Sequence, residues 1–221
     1  MPIDITDVSN NNMHLTNVGN VLYASEGLLS YYRFDGTNYL YYPTASVPEF
    51  DILGNEAYVD DPGLTLMCWV RISGTYPPPA QEALIAKLNT ATQMQYHLAI
   101  QATSGRPVFA LSTTGNSTTI VEYTSSFIET DWNFFCCRWV AGGAQTIFVN
   151  DDSVSANVVN APLFAGTARF HIGARESSNV PTNFFTGDLS RIGVYASALT
   201  DDQILTIYDM TAPLFKSSIS I

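Results

Sequence analysis

Between Gly27 and Tyr195 the chain is a succession of short apolar or alternating runs, each closed by a turn signal. The runs are Leu28–Phe34, Tyr39–Tyr42, Leu64–Ile72, Ala83–Lys87, Tyr96–Gln101, Val108–Ser112, Thr119–Tyr123, Asn133–Val140, Thr146–Val149, Ser153–Val158, Ala168–Gly173 and Gly187–Tyr195. The breakers between them include Asp61-Pro62-Gly63, Tyr76-Pro77-Pro78-Pro79, Ser104-Gly105-Arg106-Pro107, Gly142-Gly143 and Asn150-Asp151-Asp152. A helical bundle is excluded, because its helices need an apolar stripe sustained at a 3.6-residue period. Short runs at this spacing are the signature of a β-sandwich. Twelve Tyr and twelve Phe, with 46% hydrophobic and only 13% charged residues, suit half-buried strands and argue against global disorder.

In Leu64–Ile72, Leu64, Leu66, Cys68, Val70 and Ile72 fall on one face, and Thr65, Met67, Trp69 and Arg71 on the other. Both faces are largely apolar, so this strand is expected at the centre of a sheet covered on both sides. One segment breaks the β pattern. Thr200-Asp201-Asp202-Gln203 has the form of a capping box, and Ile204, Leu205, Ile207 and Tyr208 follow it. That predicts an amphipathic helix of two or three turns. The expected organisation is a polar arm over 1–26, one domain over 27–209 and a tail over 210–221. Cys68, Cys136 and Cys137 are odd in number, and the last two are adjacent, which predicts buried thiols in place of a disulfide framework.

The formal charge is −11, and residues 1–61 carry nine acids against Arg33 alone. Such a surface repels a nucleic-acid backbone or an anionic membrane. No apolar run approaches the ~18 residues of a membrane span. The opening Met1-Pro2-Ile3-Asp4 has neither a basic nor an apolar stretch, so no cleaved export signal is expected. Asn116-Ser117-Thr118 has the form of a glycosylation sequon, read here as a turn.

Several blocks resemble the laminin-G-like, concanavalin A-like lectin/glucanase jelly rolls. Gly27–Gly36 is similar to that family's opening strand ending in Phe-Asp-Gly, and Thr65–Val70 to its strand ending in Trp-Val. Asp131–Trp139 and the hairpin Thr146–Val154 follow in order. The fullest match runs through Phe170–Arg175, Phe185–Leu189 and Ile192–Tyr195 to Ala198–Ile204. The resemblance implies an all-β, antiparallel two-sheet jelly-roll sandwich with one short C-terminal helix. The acidic pair that commonly follows the Gly187-Asp188-Leu189 motif is Ser190-Arg191 here, and the hairpin turn lacks its usual Gly.

The fold implies no single function. Glycoside hydrolysis needs two carboxylates across the sugar bond. No Glu-x-Asp-x-Glu strand is present, and Glu49-Phe50-Asp51 is the nearest acidic pair. His14, His97 and His171 are isolated and are read as hydrogen-bonded residues, not metal ligands. Calcium is the one plausible cofactor, with Asp35 and Asp188 as weak candidate ligands in motifs that resemble the family's rim loops. Sugar recognition needs aromatic faces beside polar groups. Two loops have that composition, one at Tyr76 and one spanning Arg175 to Phe185; the candidate ligand-binding residues are Tyr76, Arg175 and Asn183 within them and Asp188 in the rim motif just beyond. Trp69, Trp132 and Trp139 are read as strand residues and are expected in the core.

The expected function is a non-enzymatic structural protein of a virion, a capsid-decorating or other surface-exposed phage protein with a lectin-like domain. Its expected partners are other virion proteins or copies of itself, and cell-surface glycans. Assembly in the host cytoplasm and release by lysis would reconcile a surface-type fold with the lack of a signal. The alternatives are a free-standing carbohydrate-binding lectin and, less favoured, a glucanase.

Overall fold

The computed structural model describes residues 13–44, 50, 63–90 and 92–216. Among them sixteen strands form two antiparallel-dominated sheets, and one helix follows. The strands are β1 (Thr16–Val18), β2 (Leu22–Glu26), β3 (Leu29–Asp35), β4 (Tyr39–Tyr41), β5 (Gly63–Ile72), β6 (Glu82–Asn89), β7 (Gln93–Ile100), β8 (Pro107–Leu111), β9 (Thr119–Glu122), β10 (Asn133–Val140), β11 (Ala144–Val149), β12 (Asp152–Val158), β13 (Phe170–Ile172), β14 (Arg175–Ser177), β15 (Val180–Thr182) and β16 (Thr186–Tyr195). The helix α1 is Asp201–Lys216. One sheet has the order β1-β4-β13-β6-β7-β8-β9, with β14 pairing β6 and β15 beyond that path. The other has the order β12-β11-β10-β5-β16-β3-β2. This is the expected two-sheet jelly roll.

The alternation read in β5 is realised in full. The strand lies between β10 and β16. Leu64, Leu66, Cys68, Val70 and Ile72 face the core between the sheets, with Tyr96, Leu98, Phe109, Phe135 and Trp139. Met67 and Trp69 face outward into a second apolar layer with Phe134, Cys136, Tyr208 and Phe215. That layer is the seat of α1. Cys136 and Cys137 separate to opposite sides of β10, as a strand's period of two requires, and all three thiols are free and buried. Trp69 and Trp139 are fully buried and Trp132 is 6% exposed, so all three lie in the core as expected.

The helix starts where the capping box predicts. The Gln203 amide donates to Thr200 Oγ1 at 3.2 Å, and the Thr200 amide donates to Gln203 Oε1 at 2.8 Å. It is longer than the sequence suggests and passes through Pro213. Proline removes one helical donor. Packing beyond it offsets that loss: the Phe215 ring stacks on Trp69 with centroids 4.2 Å apart and meets the edge of Trp132 at 5.2 Å. Trp69 Nε1 donates to Thr211 Oγ1 at 2.9 Å, which fixes the helix against the sheet. The tail boundary at 210 is therefore corrected: residues 210–216 belong to α1, and 217–221 lie outside the described residues.

The arm over 1–26 is likewise corrected in its second half. Thr16–Val18 pairs with β4, and Leu22–Glu26 pairs with β3, one in each sheet. Both are partly exposed strands at sheet ends, so they lack the apolar alternation that betrays a buried strand. Residues 1–12 lie outside the described residues.

Candidate functional site

The seven-stranded sheet is only partly roofed by α1. Past the helix's C-terminal end its outer face carries a charged cluster instead of apolar side chains. Arg33 on β3 and Arg71 on β5 flank Asp188 on β16, each paired with it across the sheet. Arg33 Nε donates to Asp188 Oδ1 at 2.9 Å, and Arg71 donates to Oδ2 from Nη2 at 2.8 Å and from Nε at 3.1 Å. The Asp188 side chain is 3% exposed, and its two oxygens are met by guanidinium groups in place of water. Arg71 reaches on to Glu26, and its guanidinium lies 4.8 Å from the Trp132 ring centroid. A hydrogen bond from the Tyr31 hydroxyl, together with Arg71, holds Glu26 below the usual carboxylate range.

Arg71, Glu26 and Trp132 form one end of an open groove of about 810 Å³. Its other walls are the loop from Tyr123 to Asn133, the β11–β12 turn from Val149 to Asp152, and the end of α1 at Leu214–Lys216. A clasp joins loop to turn. Asn150 Nδ2 donates to Asn133 Oδ1 at 3.0 Å, and the Phe134 amide donates to Asn150 Oδ1 at 3.1 Å. Asn133 in turn donates to the carbonyls of Ile128 and Asp131. Phe127 and Ile128 supply apolar surface, and the Trp132 Nε1 proton has no hydrogen-bond partner among the described residues. Trp132 is 6% exposed and lies behind the Arg71 guanidinium, so the half-buried Phe127 supplies the accessible aromatic surface against which a sugar ring can pack while the amides and carboxylates bond its hydroxyls.

The four candidate ligand-binding residues do not converge. Asp188 lies behind the groove and holds Arg71, which lines it. Tyr76 donates from its hydroxyl to Gly105 O at 2.9 Å, and its ring meets the edge of Phe127 at 6.1 Å, so it props the groove wall from outside. Arg175 and Asn183 lie on the other sheet. There the chain turns at Gly173, with φ of +78°, where a side chain would press into the Phe34 ring. The β14–β15 hairpin then runs back along β6, from Leu84 to Asn89, and returns to bond Ala83 through the Asn183 carbonyl. Asn183 Nδ2 donates to Gln81 O, which ties down the hairpin's end.

Beneath that hairpin lie His97 and His171, on the outward row Tyr41–His171–Ala86–His97. His171 Nδ1 bonds the Arg169 carbonyl at 3.0 Å, so it fits the expectation of a hydrogen-bonded histidine. His97 differs: among the described residues neither ring nitrogen has a hydrogen-bond partner, and burial together with the nearby Arg175 charge pushes it down to about 3. Arg169 bonds Glu176 at 2.7 Å and lies 5.6 Å from the Tyr41 ring.

The candidate calcium ligands do not fit a hard cation. Both oxygens of Asp188 face guanidinium groups, and Asp35 Oδ1 accepts from the Thr37 amide, the Thr37 hydroxyl and the Asn38 amide. Among the described residues no three His, Cys, Asp or Glu side chains gather as a metal site would require. Asp35 therefore closes a turn and Asp188 positions arginines.

Sequence reasoning missed four of the groove's residues: Arg71, Asp131, Asn133 and Asp151. Trp132, expected in the core, is buried as expected and lines the groove from the residue just before β10.

A laminin G family model, described as the concanavalin A-like lectin/glucanases superfamily, matches residues 35–205. No curated protein matches the chain in sequence. Solved structures share the fold at low identity. The binding domain of botulinum neurotoxin DC in complex with SialylT superposes with a TM-score of 0.71 at 12% identity, over 93% of this chain and 48% of that one. The binding domain of Paraclostridial Mosquitocidal Protein 1 gives 0.67 at 13%, over 93% and 49%. Botulinum neurotoxin type C, whose cell entry is described as dependent upon interaction with two ganglioside molecules, gives 0.68 at 11%, over 93% and 48%. The chain spans about half the length of these solved chains.

Proposed function

The chain belongs to the concanavalin A-like lectin/glucanases superfamily, and we propose on that premise that it is a non-enzymatic, lectin-like domain that binds glycans in the Arg71–Trp132 groove. The observation that carries this reading is the groove itself. About 810 Å³ is room for several sugar units, and one wall holds Trp132 under a guanidinium fixed by a buried carboxylate. The fold neighbours that interact with SialylT or with gangliosides support the same class of ligand, although the chain spans only half of each.

The carboxylates favour binding over hydrolysis. A glycosidase needs one acid kept protonated near neutral pH and facing a second carboxylate across the substrate. Glu26, at the groove, is held low. The carboxyl that burial pushes up to about 7 is Glu82, and it belongs to β6 in the other sheet. The test is a glycan array probed with the protein displayed on beads, alongside Trp132→Ala and Asp131→Ala. Binding lost in both variants is expected, and the exposed Asp131 guards against a mere folding defect. Binding unchanged in both variants, or none by the unaltered protein, overturns the assignment. Because Asp188 faces two arginines, binding is also expected to survive EDTA.

The finer reading places the domain on the outside of a virus particle, where many copies convert weak binding into avidity. Exposed Leu22 and Tyr23 on β2 and Val158 on β12, both end strands of the same sheet, support contacts with other copies or with a shell. Light scattering that returns a lone monomer, with no retention on particles, would argue against it.

A further inference from the structure

The groove's one guanidinium is already committed: Arg71 is held by Asp188 and Glu26. Lys216 donates one hydrogen bond to the neutral Tyr208 hydroxyl at 2.9 Å and keeps its charge. Two of the four carboxylates are engaged as well. Glu26 takes Tyr31 and Arg71, and Asp152 takes the Tyr123 hydroxyl at 3.0 Å and the Ser153 amide. Asp131 and Asp151 remain. Both are exposed, both line the groove, and neither carboxylate has a hydrogen bond or ion pair among the described residues. They flank one clasp, since the turn bearing Asp151 is tied through Asn150 to Asn133, two residues from Asp131. Two free carboxylates against the one Lys216 ammonium leave the uncommitted charge at this groove net negative, in a chain whose net charge is −11.

We propose that the groove selects glycans bearing free, protonated amines and rejects sialylated ones, with Asp131 and Asp151 as the residues that set the preference. The proposal rests on the glycan-binding reading of the same groove. A sugar ammonium gains a charge-assisted hydrogen bond from either carboxylate. A sialic acid carboxylate meets two like charges against the single Lys216 ammonium, and Arg71 would have to leave a buried partner to greet it. The predicted preference therefore opposes that suggested by the ganglioside-dependent fold neighbours.

The experiment is calorimetric titration of the full chain with three probes in mildly acidic buffer: a glucosamine tetramer, its fully N-acetylated counterpart, and sialyllactose. The amine tetramer should bind about fivefold or more tightly than the acetylated one, with the advantage falling as salt rises, and sialyllactose should bind least. Asp131→Asn combined with Asp151→Asn should abolish the amine preference, so that the amine and acetylated tetramers bind alike. These substitutions are on exposed side chains and remove only two of the protein's many acidic groups. A preference that survives them would mark attraction to the overall negative charge and overturn the proposal. Equal affinity for the two tetramers, or tighter binding of sialyllactose, overturns it while leaving glycan binding intact. Failure to bind all three probes, together with a blank array, overturns the glycan reading itself.

Discussion

Asp188 has both carboxylate oxygens occupied, by Arg33 on one side and Arg71 on the other. In Asp188→Asn the guanidinium groups lose their counter-charge but keep some access to water, since Arg33 and Arg71 are 48% and 24% exposed. A loss of about 2 kcal/mol in urea unfolding is expected, below the usual cost of stranding a fully buried charge. The glycan affinity should fall as well, because Arg71 would no longer be aimed at Trp132. His97 and Glu82 give opposite pH signatures. His97 is held neutral by burial, with its pKa down from the ordinary 6.5 to about 3, so the stability it contributes is complete above 6.5 and is lost as pH falls through that window. Glu82 is raised from 4.5 to about 7, so its contribution is favourable at low pH and is lost as pH rises from 4.5 through 7. Thermal midpoints measured from pH 3 to 8 should fall less steeply on the acid side in His97→Gln, and on the neutral side in Glu82→Gln. Sequence alone marked Asp188 as notable but misread its work. Its partners stand 117 and 155 residues away, and nothing local to Gly187-Asp188-Leu189 announces them.

At the scale of elements, legibility followed burial. β5 could be read residue by residue because both its faces are covered by apolar layers. The strands β1 and β2 could not, since a partly exposed end strand tolerates the Asn, Ser and Glu that make a segment look like a loop. The β14–β15 hairpin hid for a related reason: three-residue strands have no period to display. The start of α1 was written in its capping box. Its end was not, because the stacking of Phe215 on Trp69 overrides the local preference of Pro213. Phe215→Ala should therefore cost about 3 kcal/mol and unfasten the last turns of the helix. The check is denaturant unfolding followed by tryptophan fluorescence, with Trp69 and Trp132 as the affected rings.

At the scale of the molecule, the jelly roll was legible in the order and spacing of its motifs, and the groove was not. Its walls come from Glu26, Arg71, the loop from Tyr123 to Asn133, the turn at Asn150 and the end of α1, so no contiguous stretch of chain holds it. A site assembled by topology leaves no motif to find.

The separation of the cysteines onto two sides of one sheet has a practical consequence. Cys136 lies under the helix, while Cys68 and Cys137 lie between the sheets. A thiol-alkylating reagent applied to the native protein therefore acts as a clock for two events. If the helix lifts on its own, mass spectrometry should find the mark first on Cys136 while its neighbour and Cys68 stay clean. If the whole sandwich opens at once, all three should be marked at one rate.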